Sequence, residues 1–171
     1  MTAWEAIAAR RNVRDYRPDP IPGADLDRIA EAGRRAPSAN NNQHWDFVVV
    51  TDGERLQELS TVWPGATHIA SAPAAFALIL PRPENDLAAR WDQFDLGQAT
   101  MAMMIAATEL GIGTAHSAVG NQGKARALLG VPDDHDVAYL MGLGFPADRS
   151  LAPIRKPNRR PLEDVMHREQ W

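Results

Sequence analysis

Residues 87–110, LAARWDQFDLGQATMAMMIAATEL, are the stretch that decides the fold. Leu96, Ala99 and Met103 recur at intervals of three and four residues, as they would on the core-facing side of a helix. Many of the residues between them are also apolar, so the pattern predicts a helix at the centre of the molecule. The glycines of GIG at 111–113 predict where this helix ends, because glycine readily takes the left-handed conformation that follows a helix C-terminus.

Shorter segments on both sides of this helix predict the rest of the fold. Helices are predicted over 3–12, 53–62 and 121–132, and another helix that contains Leu26 and Ile29 ends before Pro37. Strands are predicted at DFVVVT (46–51), APAAFALIL (72–80) and DVAYLMGLGF (136–145). The second strand is apolar throughout, which predicts that helices cover both of its faces.

The order of these elements predicts the fold class. Strands and helices do not alternate regularly, so a doubly wound dinucleotide-binding domain is not expected. We therefore predict one α+β domain over residues 1–171, with a central mixed or antiparallel sheet flanked by helices.

The composition excludes several classes of function. The net charge of −4 argues against general nucleic-acid binding, and no apolar run approaches the roughly 20 residues of a membrane span. The N-terminus lacks the pattern of a secretory signal, so we expect a cytoplasmic protein. Cysteine is absent, which excludes disulfides, thiolate metal sites and a cysteine nucleophile. Any redox chemistry must therefore be carried by a cofactor.

Familiar catalytic and metal-binding motifs are missing. The sequence has no G-x-G-x-x-G fingerprint, no phosphate-binding Walker loop and no pair of histidines at zinc-binding spacing. Asp92 and Asp95 lie three residues apart on the long predicted helix, where a structural role is favoured over acid–base catalysis. We predict no catalytic side chain and no metal site.

Arginines cluster near the N-terminus, in RRNVRDYR at 10–17. If the first helix reaches residue 12, they lie at its C-terminus, where cations stabilise the helix dipole. They could also bind an anion, because Arg10 and Arg14 are four residues apart and would share a helical face. Both interpretations remain open from the residues alone.

Amide side chains crowd the segment APSANNNQHWDFVVV, residues 36–50. Asparagine and serine favour turns, so Ser38 and the three asparagines could simply reverse the chain. Each amide also carries both a hydrogen-bond donor and an acceptor. Such groups match a ring whose edge alternates donors and acceptors, as the isoalloxazine ring of a flavin does.

The order and spacing of several segments resemble those of the nitroreductase family of FMN-dependent oxidoreductases. The resemblance runs nearly from end to end of the chain. It rests on RRNVRDY (10–16), APSANNNQHWDFVVV (36–50), APAAFALIL (72–80), DLGQATMAMMIAATELGIGT (95–114), ARALLGVPDD (125–134), MGLGFP (141–146) and NRRPLEDVMH (158–167).

This resemblance implies an α+β sandwich that works as an intertwined homodimer, with two FMN sites at the interface and residues from both chains in each site. The tail, residues 150–171, is expected to be exchanged or packed at that interface. The residues that match the family's cofactor-binding positions are Arg10, Arg11, Asn12 and Arg14 with Arg159 on the phosphate side, Asn41 and Gln43 near the ring, Pro37, Ser38 and Ala39 from the partner subunit, and Thr114, Ala115, His116 and Ser117 in a loop beside the ring.

The chain departs from the family pattern at four positions. The family usually has Ser where Asn12 stands, Pro where His44 stands and often an aromatic residue where His116 stands. Some members have a lysine where this chain has Pro157, and Lys156 or Arg160 could substitute for that lysine.

The resemblance also implies an activity. NAD(P)H would deliver a hydride to FMN and leave, and a small electron-poor acceptor such as a nitroaromatic, quinone or enone would then be reduced in the same pocket. Three alternatives remain open: a non-catalytic FMN carrier or sensor, a relative with another flavin reaction such as dehydrogenation or dehalogenation, and a flavin-free protein whose arginines dock an acidic partner.

Overall fold

Four strands form the centre of the structure, a computed structural model that describes residues 1–171. They are β1 (Asp46–Val50), β2 (Ala74–Pro81), β3 (Gly113–Ala118) and β4 (His135–Gly144). Their order across the sheet is β1-β2-β4-β3, and each neighbouring pair runs antiparallel. The predicted α+β class is confirmed, and of the two predicted sheet types the antiparallel one is found.

The sequence predicted three strands and missed β3. This strand reads GTAHSA, in which Thr114 is the only β-branched residue, so local propensity gives little signal. It forms because it pairs along its whole length with β4. Thr114 to Ser117 therefore lie in a strand, and their expected placement in a loop was wrong.

Five α-helices surround the sheet. They are α1 (Ala3–Ala9), α2 (Gly23–Arg34), α3 (Gly53–Leu59), α4 (Asp86–Glu109) and α5 (Gln122–Leu129), and 3-10 turns span Ala39–Asn41, Pro64–Ser71 and Leu162–Asp164. The long helix α4 begins where Asn85 Oδ1 accepts hydrogen bonds from the N–H groups of Leu87 and Ala88, both at 3.0 Å. No helix here combines the length and the apolar character that crossing a membrane requires.

Strand β2 lies between two hydrophobic cores, as its apolar sequence predicted. Phe76 and Leu78 point to one face of the sheet and pack in the core that includes α2 and α4. Ala75 and Ala77 point to the other face and pack with α3, α5 and the Pro64–Ser71 turn. Because successive side chains of a strand point to opposite faces, an unbroken apolar run fits this position.

The segment that follows α1 is extended, contrary to prediction. The helix ends at Ala9, and residue 12 forms a parallel bridge with Thr114 at the outer edge of β3. The Val13 N–H donates to the Thr114 carbonyl at 3.0 Å, and Tyr16 forms a second bridge with Pro146. The expectation that Arg10 and Arg14 share a helical face was therefore wrong, because neither residue lies within the helix.

Candidate functional site

A cavity of about 380 Å³ lies where the end of α1 meets α4 and the sheet. It brings Arg10 and His116, two of the predicted cofactor-binding residues, to the same space. The remaining walls come from α4 and β4. The lining residues are Arg10, Gln93, Leu96, Gly97, Thr100, Met101, Met104, His116 and Tyr139.

Gly97 lines the α4 face of this cavity and adds no side chain to it. A Cβ built at Gly97 would meet no atom within 4 Å. Glycine inside a helix costs about 0.8–1.0 kcal/mol relative to alanine, so Gly97 lowers the stability of α4 at a point where the helix lines the cavity. Sequence reasoning missed the contribution of α4 to the site, although a glycine within a strongly apolar helix was a usable signal.

Strand β3 presents two side chains to the α4 side of the sheet. His116 is exposed and lies edge-to-face against Tyr139, with ring centroids 6.3 Å apart and an interplanar angle of 89°. Thr114, two residues earlier and therefore on the same face, is buried, and its hydroxyl has no hydrogen-bond partner. This side of β3 thus carries an exposed imidazole and a hydroxyl that is buried and unpaired.

Ala115 and Ser117 are buried on the opposite face of β3, so their side chains point away from the cavity. Beneath them lies His68, whose Nε2 is 3.1 Å from the Ala115 carbonyl oxygen. Burial lowers the pKa of His68, and the positive charge of Arg14 lowers it further, while the hydrogen bond to Ala115 opposes both effects.

The predicted arginines differ in what they contact. Arg10 Nη1 lies 3.3 Å from Asn12 Oδ1, and Arg14 is exposed. Arg11 turns toward its own chain, with Nη2 at 2.5 Å from Asp148 Oδ1 and 2.9 Å from the carbonyl oxygen of Arg149. The hydrogen bond from Arg11 holds the pKa of Asp148 below its usual value.

The amide-rich segment is a tight loop. Asn40, Asn41 and Gln43 have φ angles of 52°, 58° and 54°, in the left-handed region that asparagine tolerates better than most residues. Ser38 Oγ accepts the N–H of Gln43 at 3.0 Å, and Gln43 Nε2 donates to the Asn41 carbonyl at the same distance. The turn-forming role is confirmed. The exposed side chain of Asn41 leaves its ligand-binding role a prediction.

The two carboxylates on α4 hold this loop. Asp95 Oδ2 accepts the N–H of Ala39 at 2.8 Å, and Asp92 Oδ1 lies 2.8 Å from His44 Nδ1. Both aspartates are buried. The structural role that the sequence favoured for them is confirmed.

The predicted cofactor-binding residues do not surround one cavity within a single chain. Ala39 and Gln43 line a second cavity of about 530 Å³, on the side of α4 that bears Asp92 and Asp95. Pro37 is exposed, and Ser38 is half-buried beside it. One chain therefore holds two separate groups of predicted residues.

Arg159 belongs to neither cavity. It lies in the exposed tail, where its Nη1 donates to the Asn158 carbonyl at 2.7 Å. The tail is tied to the end of α1 five residues earlier, through a 2.9 Å hydrogen bond from the Ile154 N–H to the Ala8 carbonyl.

Comparison with known proteins gives consistent relatives. The Nitroreductase family profile matches residues 7–76 and 61–145. The chain is 34% identical over 170 residues to an Archaeoglobus fulgidus protein provisionally named NADH dehydrogenase/NAD(P)H nitroreductase, with 96% of each chain covered. It is 31% identical over 188 residues to the FMN reductase [NAD(P)H] of Bacillus subtilis, which covers 98% of this chain and 73% of that protein.

The fold comparison agrees. An FMN-dependent nitroreductase structure from Clostridium difficile superimposes with a TM-score of 0.84 at 24% identity, covering 97% of this chain and 98% of that one. At that identity the likeness establishes the shared fold. Since the family profile covers well over half of the chain and a relative exceeds 30% identity along nearly its whole length, the protein belongs to the Nitroreductase family.

Proposed function

We propose that the protein is an NAD(P)H-dependent FMN oxidoreductase that reduces small electron-poor acceptors of the nitroaromatic, quinone or enone type. The observation that carries this proposal is the cavity in which Arg10 and His116 meet the glycine-bearing face of α4. Relatives named NAD(P)H nitroreductase and FMN reductase support the same cofactor and donor.

The residues around the cavity fit FMN. A volume of about 380 Å³ with mostly apolar walls is typical of small-molecule sites. Arg10 supplies a guanidinium, which suits bidentate binding of phosphate, and His116 supplies an imidazole that can form hydrogen bonds. Leu96 and Met104 provide apolar surface for a flat ring.

Each group of residues has a defined task in this proposal. Arg10 and Arg14 bind the phosphate, and Asn12 positions Arg10 through their mutual contact. Asn41 and Gln43 bind the polar edge of the ring. When bound, FMN supplies hydride acceptance from the nicotinamide and hydride delivery to the acceptor, so no protein nucleophile is required. The apolar walls exclude water, and donor and acceptor occupy the same space in turn.

Dimerisation completes the site in this proposal. The face of α4 that carries Leu87, Trp91, Phe94 and Met101 at helical spacing is exposed, and Trp4 on α1 is 75% exposed. A second copy that covers this surface would bring its own 37–43 loop and its tail to the cavity. That arrangement accounts for the separation of the predicted residues into two groups within one chain.

The visible absorption spectrum of the purified protein tests the function. Flavin absorption should be present, should bleach on addition of NADPH or NADH, and should return with a quinone. Flavin that persists unbleached with both donors would favour the carrier or sensor, which shares all of the cofactor-binding residues. A colourless protein that takes up no added FMN would favour the flavin-free alternative.

Light scattering tests the shared site independently. The FMN-loaded protein should have twice the mass of one chain, and dilution into monomers should release FMN. A monomer with full flavin occupancy would contradict a site built from two chains.

A further inference from the structure

The loop that bears Asn41 and Gln43 is fixed to the body of the protein at both of its ends by one helix. At the start of the loop, Asp95 Oδ2 accepts the backbone N–H of Ala39 at 2.8 Å. At its end, Asp92 Oδ1 lies 2.8 Å from His44 Nδ1. Asp92 and Asp95 are only 8% and 7% exposed, so water competes weakly for either carboxylate.

The conformation between these two tethers is strained. Asn40, Asn41 and Gln43 all have positive φ angles, which are costly for residues that carry a Cβ. The bonds from Gln43 to Ser38 and Asn41 close the loop on itself but do not connect it to the rest of the fold. Strained backbone persists where surrounding contacts hold it in place, and here the carboxylates on α4 provide those contacts.

We propose that Asp92 and Asp95 are positioning residues for the cofactor site, holding loop 38–44 in the conformation that presents Asn41 and Gln43 to the flavin. This inference rests on the proposed function. In this inference the two carboxylates act through the loop that they hold and not through a contact with FMN. Each raises FMN affinity by keeping the loop in its binding-competent state, because apparent affinity falls with the fraction of molecules that occupy that state.

The contacts of Asp95 allow a conservative test. Its Oδ1 accepts from Gln98 Nε2 at 3.3 Å while its Oδ2 accepts from Ala39. In Asp95→Asn, the amide oxygen can still accept from Ala39, and the new NH₂ can donate to the Gln98 oxygen once the Gln98 amide rotates. Asp95→Ala removes both acceptors. A positioning role therefore predicts loss in Asp95→Ala and rescue in Asp95→Asn.

Two readouts on the full-length protein separate loop order from flavin binding. The first is hydrogen exchange of the backbone amides at 39–43, measured by mass spectrometry without flavin. The second is an FMN titration followed by quenching of flavin fluorescence. The control is Asp27→Ala, which removes an exposed aspartate of α2. His44→Ala removes the second tether at an exposed residue, where a folding failure is not expected.

In Asp95→Ala the backbone amides of the loop should exchange faster. The Kd for FMN should rise by about tenfold or more, which is a typical effect of losing a hydrogen bond to a charged group. His44→Ala should do the same to a smaller extent, while Asp95→Asn and Asp27→Ala should stay within threefold of the wild type. If the wild type binds FMN and both Asp95→Ala and His44→Ala bind it with the same Kd, this inference is overturned while the proposed function stands. If Asp95→Ala does not fold, unchanged exchange and affinity in His44→Ala overturn it. A wild-type protein that binds no FMN would overturn the proposed function as well.

Discussion

The buried imidazole of His68 lies directly against strand β3, with Nε2 at 3.1 Å from the carbonyl oxygen of Ala115. Only a ring nitrogen that carries a proton can donate to a carbonyl, so this contact fixes the proton on Nε2. The other nitrogen, Nδ1, is buried without a partner. Protonation there would place a positive charge in a buried space, beneath the strand that carries His116.

We expect stability to fall as the pH drops below about 6.5, the ordinary pKa of histidine from which that of His68 is lowered. The unfolded chain binds a proton there before the folded chain does, so the contribution of His68 is complete above that pH and is lost below it. Urea midpoints at pH 7.5, 6.5 and 5.5 measure this loss. Glu31, whose pKa is lowered to about 2, titrates below the pH values of these measurements and does not contribute to the change.

His68→Gln is the control for this pH dependence. Glutamine retains an amide that can donate to a carbonyl but does not titrate. Its urea midpoint should change less between pH 7.5 and 5.5 than that of the wild type. Identical pH profiles would show that His68 is not the group responsible.

The double variant Arg10→Ala, Arg14→Ala should weaken FMN binding by about two orders of magnitude, because it removes charge-assisted hydrogen bonds to the phosphate. The loss should be smaller at high salt, where exposed charges already contribute less. Arg55→Ala, a change on the exposed surface of α3, should leave the Kd unaltered. Equal Kd values for the double variant and the wild type would remove both arginines from the site.

Arg11→Ala should weaken FMN binding less than Arg10→Ala does. The guanidinium of Arg11 already contacts Asp148 and the carbonyl of Arg149, whereas Arg10 lines the cavity. Parallel titrations of the two single variants with FMN test this order. A larger effect for Arg11→Ala would mean that its ion pair with Asp148 opens when the cofactor binds.

Gly97→Ala should stabilise the protein and weaken FMN binding at the same time. Alanine is more favourable than glycine in the interior of a helix by about 0.8–1.0 kcal/mol, and its methyl group would extend into the cavity without meeting another atom. Thermal unfolding and FMN titration measure the two effects. Gly53→Ala, at the start of α3, should leave FMN affinity unchanged. Tighter FMN binding in Gly97→Ala would show that the glycine is not needed for space.

Much of the fold could be predicted from local patterns because long, regular apolar periodicity leaves few alternatives. Helix α4 begins and ends within one residue of its predicted limits, and β2 lies between two cores as its apolar run required. Strand β3 was missed because its small residues carry almost no intrinsic preference and its existence depends on pairing with β4. The same dependence on distant residues hid the tethers from Asp92 and Asp95 to the amide loop, since those partners lie 48 and 56 residues away in sequence.

The extended segment after α1 also lends rigidity to the arginines it carries. Between Asn12 and Tyr16 the chain is joined to the sheet by two bridges, and further hydrogen bonds run from Arg17 to Phe145 at 2.8 Å and from Ala147 to Asp15 at 3.1 Å. The backbone that supports Arg14 thus behaves as a fifth, irregular strand rather than as a loose connector, and Arg10 is held at the C-terminal end of α1. When these side chains bind a ligand phosphate, little of the main chain has to become ordered. Little of the interaction energy is therefore lost as conformational entropy, and most of it contributes to affinity.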